Sequence, residues 1–135
     1  MKTILMLALI LTLAACNSIR QVTYPQGFIY LDSSDIQSSM GKLAVHITAL
    51  DQYLSNPDQL SANRQKVLEA LGSMSRIANE LGAGATQTNH LLLDAHIDDF
   101  KQAVETARLR LQINPDNFSG VGQLVGSCSA CHRLH

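Results

Sequence analysis

The sequence predicts an all-α protein, built as an antiparallel up-down-up-down four-helix bundle. Three long segments carry apolar residues mostly at steps of three and four, which is the spacing of one face of an α-helix. Asn-Pro-Asp triplets at 56–58 and 114–116 and a Gly-Ala-Gly triplet at 82–84 separate the helical segments. Strand-type alternation is scarce. Short loops between amphipathic helices favour antiparallel neighbours in a bundle.

The first three predicted helices cover 33–54, 57–81 and 89–113. Ser33 or Ser34 is expected to cap the first of them, because a serine side chain can accept a hydrogen bond from the unpaired N–H groups of the first turn. The inward-facing positions are Ile36, Met40, Leu43, Ile47, Leu50 and Leu54 in the first helix, Leu60, Val67, Leu71, Met74, Ile77 and Leu81 in the second, and Leu93, Ile97, Phe100, Val104, Ala107 and Leu111 in the third.

The fourth predicted helix begins at 115 and continues to the end of the sequence. Its inward positions are Phe118, Val121, Leu124, Val125, Cys128 and Cys131. Gly120, Gly122 and Gly126 each cost roughly 1 kcal/mol relative to alanine in a helix interior. They therefore indicate a close approach to a flat ligand or a neighbouring helix, or else a loosely wound helix start.

The first fifteen residues have the layout of an export signal. Lys2 precedes an apolar run over 4–13, and two alanines follow it. The run is shorter than the roughly 20 residues of a transmembrane helix. The segment Leu13-Ala14-Ala15-Cys16 resembles a bacterial lipobox, which implies cleavage before Cys16, lipidation of its thiol and anchoring to a bacterial membrane. The alternative is an ordinary signal peptide with a chance cysteine.

The predicted organisation is therefore a lipoprotein signal peptide at 1–15, a lipid-anchored tether at 16–32 and one helical domain at 33–135. The domain would lie outside the cytoplasm, facing the periplasm or the exterior. The chain has 10 basic and 11 acidic residues and no basic patch, so nucleic acid is not expected as a partner.

The strongest motif is Cys128-Ser129-Ala130-Cys131-His132 near the end of the fourth helix. Its C-x-x-C-H pattern is the attachment signature of haem c. The side chains of Cys128, Cys131 and His132 stand at i, i+3 and i+4, so they share one helix face. Two thioethers from Cys128 and Cys131 would hold one haem, and His132 would be the proximal ligand of its iron.

Three other uses of these cysteines compete with haem attachment. A redox dithiol normally follows a strand in a βαβ unit, and no such unit is visible in the sequence. A structural disulfide is the second alternative. A zinc site needs a fourth ligand, and only His135 is nearby.

A motif on the last of four helices resembles the layout of the cytochrome c-prime family. Two segments carry the resemblance: 121–132, where apolar and small residues lead into the haem motif, and 37–43 (Gln-Ser-Ser-Met-Gly-Lys-Leu), similar to the family segment facing the distal side of the haem. The resemblance implies a single covalent haem in a four-helix bundle. It also implies a homodimer formed through the first two helices.

The residue matched to Met40 decides the iron chemistry in that family. A leucine or phenylalanine there leaves a five-coordinate, gas-binding haem, whereas a methionine can be the distal iron ligand. The resemblance places Gln37 and Leu43 in the haem environment, with Gln37 available to a propionate where the family often has a basic residue. Arg133 would substitute for the basic residues that usually follow the haem histidine.

The sequence thus favours an exported electron carrier with His/Met-ligated iron that passes electrons to an unidentified redox partner protein, and not an enzyme. The alternative is a five-coordinate protein binding NO or CO. A small peroxidase would need distal acid–base groups, and no distal His or Arg is apparent in the first helix. A haem-free bundle is the remaining possibility. His46, His90, His96 and His135 are expected at surface or edge positions, with His96 as the spare iron ligand. Asp94, Asp98 and Asp99 are expected to form a solvated face or a docking patch.

Overall fold

The computed structural model describes residues 26–132, and this part of the chain is almost entirely helix and connecting turn. Its secondary structure comprises strand β1 (Phe28–Ile29), helix α1 (Ser33–Leu54), a 3₁₀ turn (Pro57–Gln59), helix α2 (Leu60–Glu80), strand β2 (Gln87–Thr88), helix α3 (Leu91–Ile113) and helix α4 (Ser119–His132). The two short strands pair in parallel, with Phe28 opposite Gln87. The all-α expectation is confirmed.

Helix α1 has the predicted bounds, but Asp32 caps it in place of Ser33 or Ser34. The Asp32 carboxylate accepts hydrogen bonds from the backbone N–H and the hydroxyl of Ser34, both at 2.9 Å. These two bonds hold the pKa of Asp32 below its usual value, because they stabilise the charged form. A carboxylate at this position also interacts favourably with the positive end of the helix dipole.

The other helices begin later than the sequence predicts, because side chains cap turns that precede them. Pro57 starts a 3₁₀ turn, not the α-helix itself. His90 caps α3, through an Nδ1 that accepts a hydrogen bond from the backbone N–H of Leu93 at 3.4 Å. Before α4, the side chains of Asn114 and Asn117 accept from backbone N–H groups in the turns that lead into the helix.

The core consists of the predicted apolar faces. Helix α1 contacts α2, α2 contacts α3, and α3 contacts α4, whereas α1 and α4 contact each other only sparsely. The predicted inward positions that are buried are Leu43, Leu50, Val67, Leu71, Met74, Ile77, Leu81, Leu93, Ile97, Val104, Ala107, Leu111, Val121 and Leu124. Met40, Ile47 and Phe100 are half-buried and pack against this core.

Helices α3 and α4 approach each other closely at Gly120. A Cβ atom on this residue would lie 3.0 Å from the Cα of Ala107 and 3.2 Å from its Cβ. The predicted helix–helix approach is therefore confirmed at Gly120. It does not extend to Gly122 or Gly126, where a Cβ atom would meet nothing within 4 Å.

The last residues of the predicted tether contact the helical domain. Leu31 is buried, and its backbone N–H donates to Oδ1 of Asn89 at 2.7 Å. The Asn89 Nδ2 donates in return to the Leu31 carbonyl at 2.9 Å. The predicted signal peptide and Cys16 lie outside the described residues. No described helix is both long enough and apolar enough to span a membrane.

Candidate haem site

A partly open cavity of about 470 Å³ is lined by residues of α1, α3 and α4. Small-molecule and cofactor sites commonly occupy roughly 300–1,000 Å³ and are lined mainly by apolar groups with a few polar ones. The lining here is predominantly apolar, and it includes Cys128 and His132 of the C-x-x-C-H motif. The cavity thus joins the motif to the segment of α1 that resembles a distal haem wall.

Helix α4 contributes Ser127, Cys128 and His132 to the cavity wall. Cys128 and His132 are one turn apart, so both reach the same side of the helix. Cys128 is partly buried and His132 is exposed. Cys131 lies on the same helix, but its side chain is outside the described part of the chain, as is Arg133.

Helix α1 contributes Met40, Leu43, Ala44 and Ile47, together with Thr48. Met40 is half-buried, and it lines the same cavity as the motif residues. The Thr48 hydroxyl donates to the carbonyl oxygen of Ala44 at 2.9 Å, so its proton is already engaged within the helix.

Gln37 does not line the cavity and is exposed to solvent. It precedes Met40 by three residues, so it stands within one turn of the cavity wall. Of the two residues assigned to the haem environment from α1, the structure therefore places Leu43 in the cavity wall but not Gln37.

Helix α3 forms a wall that the sequence-based interpretation did not assign. Leu93, Ile97 and Phe100 were predicted as core residues, and they serve both the core and the cavity. His96 and Asp99 add polar groups to the same wall. The five wall residues of α3 follow one another at helical spacing, with steps of three and four from Leu93 to His96 and Ile97. This spacing could have indicated their shared face if the position of the cavity had been known.

The acidic residues of α3 have separate roles. Asp94 accepts from the backbone N–H of Thr88 at 2.9 Å, and Asp98 accepts from the backbone N–H of Gly84 at 2.7 Å. Both carboxylates therefore hold the loop between α2 and α3, whereas Asp99 lines the cavity. Asp98 and Asp99 are exposed, as a solvated face predicts, whereas Asp94 is half-buried.

The remaining histidines do not line the cavity within the described residues. His46 is half-buried on α1, His90 caps α3, and His135 lies outside the described part of the chain. His96 is the histidine that joins His132 in the cavity wall.

The donor set of the cavity fits a covalently attached haem. It combines a cysteine and a histidine of the attachment motif, a thioether at the opposite segment and flat or branched apolar side chains between them. Among residues 26–132 no group of three or more His, Cys, Asp and Glu side chains is arranged to hold a bare metal ion. Comparison of the chain with protein-family models, with curated proteins and with solved structures gives no match.

Proposed function

We propose that this protein is an exported c-type cytochrome that carries single electrons. One haem c would be attached through Cys128 and Cys131, with His132 as the proximal iron ligand and Met40 as the distal one. The observation that carries this proposal is the shared cavity: Cys128, His132 and Met40 come from opposite ends of the described chain and line one apolar volume.

The proposed fold is an antiparallel up-down-up-down four-helix bundle like that of the cytochrome c-prime family. The sequential contacts of α1 with α2, α2 with α3 and α3 with α4 are those that such a bundle requires. The sparse contact between α1 and α4 supports a ligand between these helices, because a bundle without one would close that interface by direct packing.

Haem c supplies a one-electron couple between ferric and ferrous iron. The side chains of Cys128 and Cys131 would hold the ring through thioether bonds, and the His132 imidazole would be an iron ligand. The Met40 thioether, as a soft second ligand, would favour the ferrous state and so raise the reduction potential relative to a second imidazole. The apolar side chains of Leu43, Ile47 and Ile97 in the cavity wall would lower the polarity around the iron and so favour its less charged state.

The proposed location is a bacterial membrane, with Cys16 carrying the lipid anchor and the domain facing the periplasm or the exterior. Residues 17–25 would then connect the anchor to β1, where the described domain begins. The reaction needs no substrate chemistry, so the protein is proposed not to be an enzyme. Its partner would be another redox protein, docked through a small and weak interface of the kind that electron-transfer encounters use.

A second candidate function is the reversible binding of NO or CO. The observation that favours it is the packing of Met40 against the hydrophobic core, since a methionine at such a position often fills space without binding a metal. If Met40 only packs, the distal face of the cavity is open to a diatomic gas.

Visible spectroscopy with and without CO separates the two candidates. We expect sharp α and β bands in the reduced protein, a weak long-wavelength band in the oxidised protein that marks Met–iron bonding, and little response to CO. The variant Met40→Leu should lose the long-wavelength band and bind CO readily, because it removes the sulfur at nearly constant volume.

The matched control is Met74→Leu, which alters a fully buried methionine of α2 that does not line the cavity. This control should keep the native spectrum. A native protein with a broad high-spin spectrum and a large CO shift would reject the electron-carrier assignment and favour gas binding.

A further inference from the structure

The cavity has a shortage of groups that could bind the two propionate carboxylates of a haem. A carboxylate that is partly removed from water needs hydrogen-bond donors or a positive charge. Within the described residues, no lysine or arginine lines the cavity. Gln37, which the family resemblance offers for this role, is exposed and outside the cavity wall.

Most of the polar side chains in the wall are unsuited to binding an anion. Thr48 already donates its hydroxyl proton to Ala44. Asp99 can only accept when ionised, and its negative charge makes a neighbouring carboxylate less favourable. The polar groups that remain, apart from the proposed iron ligand, are the neutral hydroxyl of Ser127 and the imidazole of His96.

His96 has a donor that the rest of the described structure does not use. It is half-buried, and no described residue forms a hydrogen bond with its imidazole. His90 on the same helix differs, because its Nδ1 accepts from the backbone of Leu93. An imidazole in the cavity wall can donate a hydrogen bond from either ring nitrogen, depending on its tautomer.

We propose that His96 binds a haem propionate, by donating a hydrogen bond from its imidazole to the carboxylate. This inference rests on the proposed function, since it concerns the same haem. It assigns His96 as a positioning residue on α3 and not as an iron ligand. The hydrogen bond would partly offset the negative charge of the propionate, which lies on the same wall as the exposed Asp99, and would so favour uptake of an electron by the iron.

Resonance Raman spectroscopy of the reduced holoprotein tests this assignment, because the propionate bending mode shifts when a carboxylate loses a hydrogen bond. We expect His96→Leu to shift this mode and to lower the midpoint potential, while the visible bands that report iron ligation stay as in the native protein. His96→Gln should restore the mode most of the way, since its amide is also a donor.

The matched control is His46→Leu, which removes a half-buried histidine that does not line the cavity. It should leave both the mode and the potential unchanged. If His96→Leu leaves the mode unchanged, the proposal is wrong. If it changes the iron-ligation bands instead, His96 is an iron ligand and the proposal is equally wrong.

Haem attachment gives a further readout if the variants fail to mature. Loss of covalent haem in His96→Leu but not in His96→Gln supports a donor role, whereas loss in both contradicts it. Failure of the proposed function has different signatures, and both appear in the native protein: no covalent haem at all, or a haem with a broad high-spin spectrum and a large CO shift.

Discussion

Replacing Gly120 by alanine would force a new methyl group against the backbone of α3. The added Cβ would lie 3.0 Å from the Cα of Ala107, whereas carbon atoms pack best at about 3.5–4.0 Å. The two helices would therefore have to separate by a few tenths of an ångström, because a backbone atom cannot rotate out of the way as a flexible side chain can. Overpacking of this kind costs about 1–3 kcal/mol.

Alanine also has a higher helix propensity than glycine, and this difference raises the free energy of unfolding by at most about 1 kcal/mol. The net expectation for Gly120→Ala is a loss of about 1 kcal/mol in the free energy of unfolding. Gly122→Ala is the matched control, since the same change in the same helix meets nothing within 4 Å. It should gain up to about 1 kcal/mol.

Urea denaturation followed by far-ultraviolet circular dichroism measures both variants under one set of conditions. The two free energies of unfolding should differ by about 2 kcal/mol, with Gly122→Ala the more stable. Equal stability of the two variants, or a more stable Gly120→Ala, would refute the close approach of α3 and α4.

Two further expectations concern the cap of α1 and the core of α3. Asp32→Ala should lower the thermal midpoint at neutral pH by removing both bonds to Ser34. The pKa of Asp32 is lower in the folded state than in the unfolded state, so the charged carboxylate stabilises the fold fully only above its unfolded pKa. This stabilisation is lost as the pH falls through the folded pKa, and the thermal midpoints of native protein and variant should therefore converge in acid. A constant difference between the two midpoints down to strongly acidic pH would contradict this. Leu111→Ala should cost about 2–5 kcal/mol in urea, because this side chain is fully buried. Leu109→Ala, on the same helix but 56% exposed, should change stability by less than about 0.5 kcal/mol, and similar losses for the two would argue against the assigned helix face.

The helices could be predicted because their apolar residues repeat with the helical period. This period alone identified the buried positions Leu71, Val104 and Leu111. The helix starts were less predictable, since they depend on which of several adjacent polar side chains reaches an unpaired N–H group. At the start of α1, the backbone N–H and the hydroxyl of Ser34 both donate hydrogen bonds to the Asp32 carboxylate. The apolar period does not distinguish this arrangement from a cap at Ser33.

The candidate site was only partly predictable for a different reason. The C-x-x-C-H motif is local in sequence, so its spacing directly predicts a shared helix face. The α3 wall depends on how one helix is oriented toward another. His96 and Asp99 therefore looked like edge or solvent residues until the cavity between three helices was known.

Attachment of a haem through Cys128 and Cys131 is tested most directly by expressing the full chain, including residues 1–25, in a host that attaches haem c, and then unfolding the purified protein in acid and organic solvent. We predict that the haem absorbance stays with the polypeptide during denaturing gel filtration, and that a variant with both Cys128→Ala and Cys131→Ala loses it. A native polypeptide that emerges without haem absorbance, from a host that matures a control cytochrome c in parallel, would contradict the account.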